Sequence, residues 1–96
     1  MNEHRDNNGR LTFNFETIVS GMYSKITKSV IAEFSLESAS EKTAALDEVF
    51  QDFKRSSDIV GLEWDNWSGY IVNAKVTSAE ALFREIASYV SANFNS

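Results

Sequence analysis

The side chains of this chain that could do chemistry are mainly carboxylates. Glu63 and Asp65 lie two residues apart, so on a continuous strand both would point to the same face, and Asn66 follows directly. A close pair of carboxylates can raise one pKa or bind a cation. Their spacing matches no calcium-binding loop, and acidic residues beside a turn are commonly solvated. We therefore predict no catalytic and no metal-binding residues here.

The sequence lacks the residues that other catalytic and cofactor-binding sites need. The chain has no cysteine, and its one histidine, His4, lies near the amino terminus. Serine–histidine–acid and cysteine–histidine catalysis, and zinc sites built from these residues, are therefore not expected. The four glycines are scattered and form no phosphate-binding or dinucleotide-binding motif. The sequence predicts a protein that is not an enzyme and has no cofactor. An enzyme using Glu63, Asp65 or Glu33 stays the least favoured reading.

Aromatic residues are concentrated between residues 63 and 70, where they alternate with acids and an amide. Tryptophan and tyrosine combine a large rigid contact area with a polar tip and are frequent at binding hot spots. In the predicted strands Trp64 and Tyr70 are in phase with core residues, whereas Trp67 falls in the turn and is the candidate for exposure. The predicted binding surface comprises Glu63, Trp64, Asp65, Asn66, Trp67 and Tyr70.

The first half of the chain gives mixed secondary-structure signals. Alternating Leu11, Phe13 and Phe15 predict a strand over about 11–19, although apolar residues at helical spacing leave open a helix over 15–27. A second alternating pattern begins at Ser29 and predicts another strand. A capping box at Ser38–Glu41 and an apolar stripe then predict a helix near 40–55.

The second half is clearer and completes the predicted fold. Alternating residues before and after a turn at 65–69 predict a hairpin. A second capping box, at Thr77–Glu80, opens a helix with a continuous apolar stripe. The predicted class is α+β in the order ββαββα, with a four-stranded, mainly antiparallel sheet and both helices packed on one face. The alternative, with residues 15–27 helical, is αβαββα.

Length and charge limit the organisation of the chain and its partners. Its 96 residues suit one domain, predicted over 11–96 after a flexible polar tail at 1–10. The net charge is −5, and nine of the fourteen acids lie between Glu33 and Asp65. This charge disfavours nucleic acid and anionic membranes as partners and favours a basic protein. We expect a cytoplasmic location, since no signal peptide or apolar span is present in the sequence.

Three isoleucines suggest a homodimer. If the even-numbered strand residues pack on the helices, Ile31, Ile59 and Ile71 are left on the opposite face of the sheet. A one-layer helix cover would leave that face to water, and a second copy of the chain would bury it.

Two non-enzymatic functions follow from these features. The first is a small acidic protein-interaction module, an inhibitor or immunity-type factor that docks on a basic partner. Its short α+β layout is similar in architecture to that of small toxin-neutralising proteins. The alternative is a small-molecule binding protein with a pocket at the homodimer interface, walled by Trp64, Trp67 and Tyr70.

Overall fold

Seven strands and two helices form an α+β fold in the computed structural model, which describes residues 3–94. The elements are β1 (Glu3–Arg5), β2 (Leu11–Phe15), α1 (Tyr23–Phe34), β3 (Glu37–Ser38), β4 (Thr43–Ala44), β5 (Glu48–Arg55), β6 (Asp58–Asp65), β7 (Gly69–Ala74) and α2 (Glu80–Phe94). All strand pairs are antiparallel, and the sheet order is β1-β2-β7-β6-β5-β3, with β4 also paired to β5. The predicted class is confirmed, whereas the predicted four strands and the order ββαββα are wrong.

The β6–β7 hairpin is the centre of the sheet, as its alternating sequence predicts. Leu62 pairs with Val72 and Trp64 with Tyr70, so these side chains point to the same face. Both helices pack on this inner face, where Val60, Leu62, Tyr70 and Val72 are fully buried beside residues of α1 and α2. The two observed helices thus share one face, although the first of them is not the helix that the sequence predicted.

The predicted helix over 40–55 is wrong, because this segment contains β4 and β5. All eight residues of β5 pair with β6, from Glu48 opposite Asp65 to Arg55 opposite Asp58. The spacing of Val49, Phe50 and Phe53 fits a helix, but in the sheet Phe50 points outward and the other two point inward. Continuous hydrogen bonding to a buried neighbour outweighs a short helical stripe.

The strand predicted from Ser29 is also wrong, because residues 29–34 belong to α1. Buried Tyr23, Ile26, Thr27 and Val30 follow helical spacing, and a 3₁₀ turn at Ser20–Met22 leads into the helix. Gly21 thus precedes the helix and does not interrupt it. The alternative of a helix over 15–27 is right only from this turn onward, since Leu11–Phe15 is a strand.

The amino-terminal segment joins the sheet, in contrast to the expected flexible tail. Glu3–Arg5 pairs with Leu11–Phe13 of β2, while Met1 and Asn2 lie outside the described residues. A turn connects the two strands, in which the Asp6 carboxylate accepts hydrogen bonds from the backbone of Asn8 (2.8 Å) and of Arg10 (3.0 Å). Both hydrogen bonds stabilise the carboxylate and so lower the pKa of Asp6, and the bond from Arg10 has the larger effect.

Gly69 closes the β6–β7 turn in a position that excludes any side chain. Its φ is +73°, and a Cβ built there would lie 2.1 Å from the carbonyl oxygen of Phe15 in β2. The glycine therefore allows the turn and the close approach of β2 at the same place. Gly21 differs, since a Cβ there has no heavy atom within 4 Å.

We expect Gly69→Ala to lower the free energy of unfolding by about 3 kcal/mol, since the new methyl group meets rigid backbone at a left-handed φ. Urea denaturation at pH 7 measures this change. Gly21→Ala is the matched control and should change stability by less than about 1 kcal/mol. Equal effects of the two substitutions would contradict the close packing of β2 on the turn.

Candidate binding surface

Trp64 and Tyr70 of the predicted binding surface belong to the core. The indole Nε1 of Trp64 donates a hydrogen bond to the carbonyl of Ile18 at 2.8 Å, and its ring packs against the core. Tyr70 is fully buried, with its hydroxyl 2.8 Å from the Thr27 hydroxyl of α1. The inward phase of both residues is thereby confirmed; Tyr70 is closed to a partner, whereas Trp64 is half-buried.

Buried tyrosine hydroxyls connect α1 to the sheet and stay protonated. Tyr23 donates to the carbonyl of Leu62 at 2.6 Å, and its ring centroid lies 5.7 Å from that of Tyr70. Burial raises the pKa of Tyr23 to about 12 and also raises that of Tyr70, because the phenolate would lose its hydration. Both groups therefore act as neutral structural hydrogen-bonding groups.

Glu63 belongs to a polar cluster on the outer face of the sheet. Its Oε2 lies 3.1 Å from Lys75 Nζ and accepts a hydrogen bond from Asn73 Nδ2 at 3.2 Å. Asp52 adds a second carboxylate 3.7 Å from Lys75 Nζ. The glutamate charge is thus offset within the cluster, which leaves it poorly suited as a catalytic acid.

Gly61 makes room for this outer polar cluster. The position that a Gly61 Cβ would take lies 2.4 Å from Asn73 Oδ1, 2.6 Å from Lys75 Cε and 2.8 Å from Glu63 Oε2. Asn73 Oδ1 is buried and has no conventional hydrogen-bond partner among the described residues. It lies over the Gly61 backbone, in a position suited to a weak Cα–H···O contact. The cluster is closely packed over the middle of β6 and β7.

The three carboxylates considered for catalysis do not converge. Glu33 is exposed on α1, on the helix side of the sheet, whereas Glu63 lies on the outer face. Asp65 is occupied in the hairpin turn. No group of three or more His, Asp or Glu side chains within residues 3–94 is placed to hold a metal ion.

Of the isoleucines predicted to form a dimer surface, Ile59 and Ile71 lie on the outer face of the sheet, whereas Ile31 does not. Ile31 lies on α1 and packs partly against the core, because its segment is a helix and not a strand. Ile71 is buried between Glu63 and Asn14, its neighbours on the adjacent strands. Ile59 is half-buried opposite Lys54. The homodimer stays a prediction, but these three residues do not form a continuous patch for it.

The hairpin tip presents Trp67 to solvent. Asp65 Oδ1 accepts hydrogen bonds from the backbone of Trp67 at 2.9 Å and of Ser68 at 2.6 Å, an Asx turn. This turn directs the Trp67 ring away from the protein, with 75% of the residue exposed. The backbone of Asn66 donates to the carbonyl of Asp47 at 3.0 Å and joins the tip to the β4–β5 turn.

Two further apolar side chains are exposed at the same end of the sheet. Leu46 is fully exposed in the β4–β5 turn, and Val19 is 65% exposed after β2. We call residues 16–19, 45–48 and 65–68 the loop surface. Sequence reasoning missed both residues, since Leu46 fits the apolar stripe of a helix and Val19 fits a continuing strand. Asp47 beside Leu46 is a turn former, but it is equally compatible with a helix.

The loop surface is acidic as well as apolar. Its carboxylates are Glu16, Asp47, Glu48 and Asp65, and its sequence contains no lysine or arginine. Strand order places the loops side by side, because β2 pairs with β7, β7 with β6, and β6 with β5. A protruding apolar centre with an acidic surround can bind a surface that has an apolar hollow and basic residues.

The structure predicts opposite roles for the two tryptophans. We expect Trp67→Ser to change the free energy of unfolding by less than about 0.5 kcal/mol, because the side chain packs on little of the protein. Trp64→Ser should cost about 3 kcal/mol or more through lost packing and the lost bond to Ile18. Chemical denaturation of both variants tests this difference.

Fluorescence quenching tests the charge around Trp67 directly. The ratio of caesium to iodide quenching should exceed that of free N-acetyltryptophanamide, because the carboxylates concentrate cations and repel anions. This preference should disappear in Trp67→Phe and at high salt. A ratio equal to or below that of N-acetyltryptophanamide would contradict an acidic loop surface.

Buried tyrosines predict a loss of stability at alkaline pH. The native pKa of Tyr23, about 12, lies above the unfolded value of about 10, so the native state holds more protons between these values. The free energy of unfolding should therefore fall as pH rises from 10 to 12, by about 2 kcal/mol for this group. Denaturation at several pH values should show a shallower fall in Tyr23→Phe. An unchanged slope would contradict the burial of this hydroxyl.

Comparison of the chain with protein-family models, with curated proteins and with solved structures gave no match. No helix within residues 3–94 has both the length and the apolar character needed to span a membrane. The function is therefore considered from the chemistry of the surface itself.

Proposed function

We propose that this chain is a non-enzymatic protein-interaction module that docks on a basic partner through the loop surface. The observation that carries the proposal is the exposure of Val19, Leu46 and Trp67 on adjacent acidic loops. An inhibitor or an immunity-type factor would act in this way, by covering a basic functional surface of its target.

The apolar side chains supply the binding energy in this proposal. Large apolar side chains contribute about 1.5–3 kcal/mol each when an interface buries them fully. Tryptophan is enriched among the few residues that dominate interface energetics. Trp67 is the largest exposed side chain of the three and protrudes at a hairpin tip. We therefore assign it as the main anchor.

The carboxylates supply steering and selectivity. Asp47, Glu48 and Asp65 lie in the same loops as Leu46 and Trp67, and these loops contain no lysine or arginine. Such a patch accelerates association with a basic surface and disfavours acidic partners. Screening over about 10 Å at 0.1 M salt makes this contribution dependent on ionic strength.

Hydrogen bonds hold the loops in place before binding. The Asx turn of Asp65 shapes the hairpin tip, and the bond from Asn66 to Asp47 ties it to the neighbouring turn. Trp64 anchors the loop after β2 through the carbonyl of Ile18. A surface ordered in advance loses less conformational entropy on association.

A peptide library displayed on phage tests the proposal. Selection on the immobilised wild-type protein should enrich peptides that combine Lys or Arg with apolar residues. Fluorescence anisotropy of an enriched peptide should show at least tenfold weaker binding to Trp67→Ser/Leu46→Ser, because the exposed anchors are lost. Raising the salt from 0.05 to 0.5 M should also weaken binding, through screening of the carboxylates.

Val76→Ser is the matched control, since Val76 is exposed but lies outside the loop surface. It should bind the selected peptide as the wild type does. Enrichment of acidic peptides, or equal binding by the double variant, would overturn the proposal.

A further inference from the structure

A groove separates α1 from the edge of the sheet formed by β3, β4 and β5. It encloses about 210 Å³ and lies on the helix side of the sheet. Its lining residues belong to α1, to β3 and β5, and to the connection between β3 and β4. They are Tyr23, Ser24, Thr27, Lys28, Ile31, Ser38, Lys42, Gln51 and Phe53.

The groove exists because the edge of the sheet is interrupted there. β3 pairs with Lys54 and Phe53 of β5, and β4 pairs with Phe50 and Val49, so residues 39–42 leave the edge between them. Gln51 Nε2 donates to the Ser40 carbonyl at 3.0 Å, and the Asp52 backbone donates to Ser40 Oγ at the same distance. These bonds hold the connection in a defined position.

This connection brings a cation over an aromatic ring. Lys42 Nζ lies 5.8 Å from the centroid of Tyr23, and Lys28 lines the groove from α1. Tyr23 and Phe53 also line the groove; both are largely buried and form its aromatic floor. The hydroxyls of Ser24 and Ser38 add polar groups at the exposed margin.

The charge of the groove is opposite to that of the chain. Two lysines and no carboxylate occur among its nine lining residues, all within the described part of the chain, although acids outnumber bases by fourteen to nine in the whole sequence. An anionic group placed between the lysines would gain favourable interactions with both. The aromatic floor favours a flat apolar body beneath that group.

The volume selects a small ligand. A protein cavity of about 150 Å³ holds one benzene molecule. A groove of 210 Å³ therefore has space for a single ring with one carboxylate or phosphate. We propose that this groove binds a small aromatic anion, with its ring on Tyr23 and Phe53 and its charge between Lys28 and Lys42.

This site does not depend on the proposed docking function. The loop surface is acidic and lies at the end of the sheet, whereas the groove is cationic and lies beside α1. No residue is shared between the two. One site can therefore be disproved while the other stands.

A nitrogen-15 NMR titration with benzoate, phenyl phosphate and benzyl alcohol tests the proposal. Benzoate or phenyl phosphate should shift the amide signals of residues 23–31, 38–42 and 51–53 in a saturable way, with a Kd on the order of 1 mM for so small a ligand. Benzyl alcohol has the ring without the charge and should bind at least fivefold more weakly. Failure of both anions to bind, or equal binding of the alcohol, would overturn the proposal.

Charge-matched variants locate the site. Lys28→Gln/Lys42→Gln should weaken binding of the anion at least fivefold. Lys25→Gln/Lys54→Gln removes the same charge from exposed positions that do not line the groove and should bind as the wild type does. All four lysines are exposed, so both variants should keep the dispersed amide spectrum of the folded protein. Equal affinities in the two variants would show that general charge, and not the groove, attracts the anion.

Discussion

The β6–β7 hairpin and its buried inner face are the constraint on which the rest of the structure depends. Val60, Leu62, Tyr70 and Val72 give this hairpin a fully buried face, and the other layers attach to it. Tyr23 and Thr27 connect α1 to it by hydrogen bonds, because buried hydroxyls and carbonyls need partners in a dry core. Its two outer neighbours, β5 and β2, complete the sheet on either side. Gly69 admits β2 beside the turn, so the close approach there follows from a missing side chain.

The two faces of the sheet have different chemistry, and this difference determines where binding is available. Helices cover the inner face, while the outer face carries a polar cluster around Gly61 and the exposed Phe50. Glu63 and Lys75 offset each other there, so an acidic chain presents little unpaired charge on that face. The loops at one end of the sheet and the groove at its edge are two surfaces that stay accessible.

These accessible surfaces are opposite in charge. The loop surface combines exposed Trp67 and Leu46 with carboxylates, which suits a basic protein. The groove combines Lys28 and Lys42 with aromatic side chains, which suits a small anion. Their separation within a small fold allows a macromolecular partner and a small ligand to be bound at different places.

The sequence by itself determined the α+β class, the central hairpin, the last helix and the inward phase of Trp64 and Tyr70. In those segments one periodicity dominates, and turn-forming residues mark the end of the hairpin. The capping box predicted at Thr77–Glu80 is wrong, since Thr77–Ala79 forms a 3₁₀ turn without a side-chain capping bond. The sequence also indicated Trp67 as the candidate for exposure, because that residue fits neither strand.

Only the tertiary structure decided that the segment from Tyr23 to Phe34 is a helix and that 48–55 is a strand, since both patterns are compatible with either period. The loop surface and the groove were likewise decided by strand order, which brings together residues far apart in sequence such as Val19 with Trp67, and Lys28 with Lys42. Spacing along a chain records local periodicity, whereas these surfaces arise from pairing between distant segments.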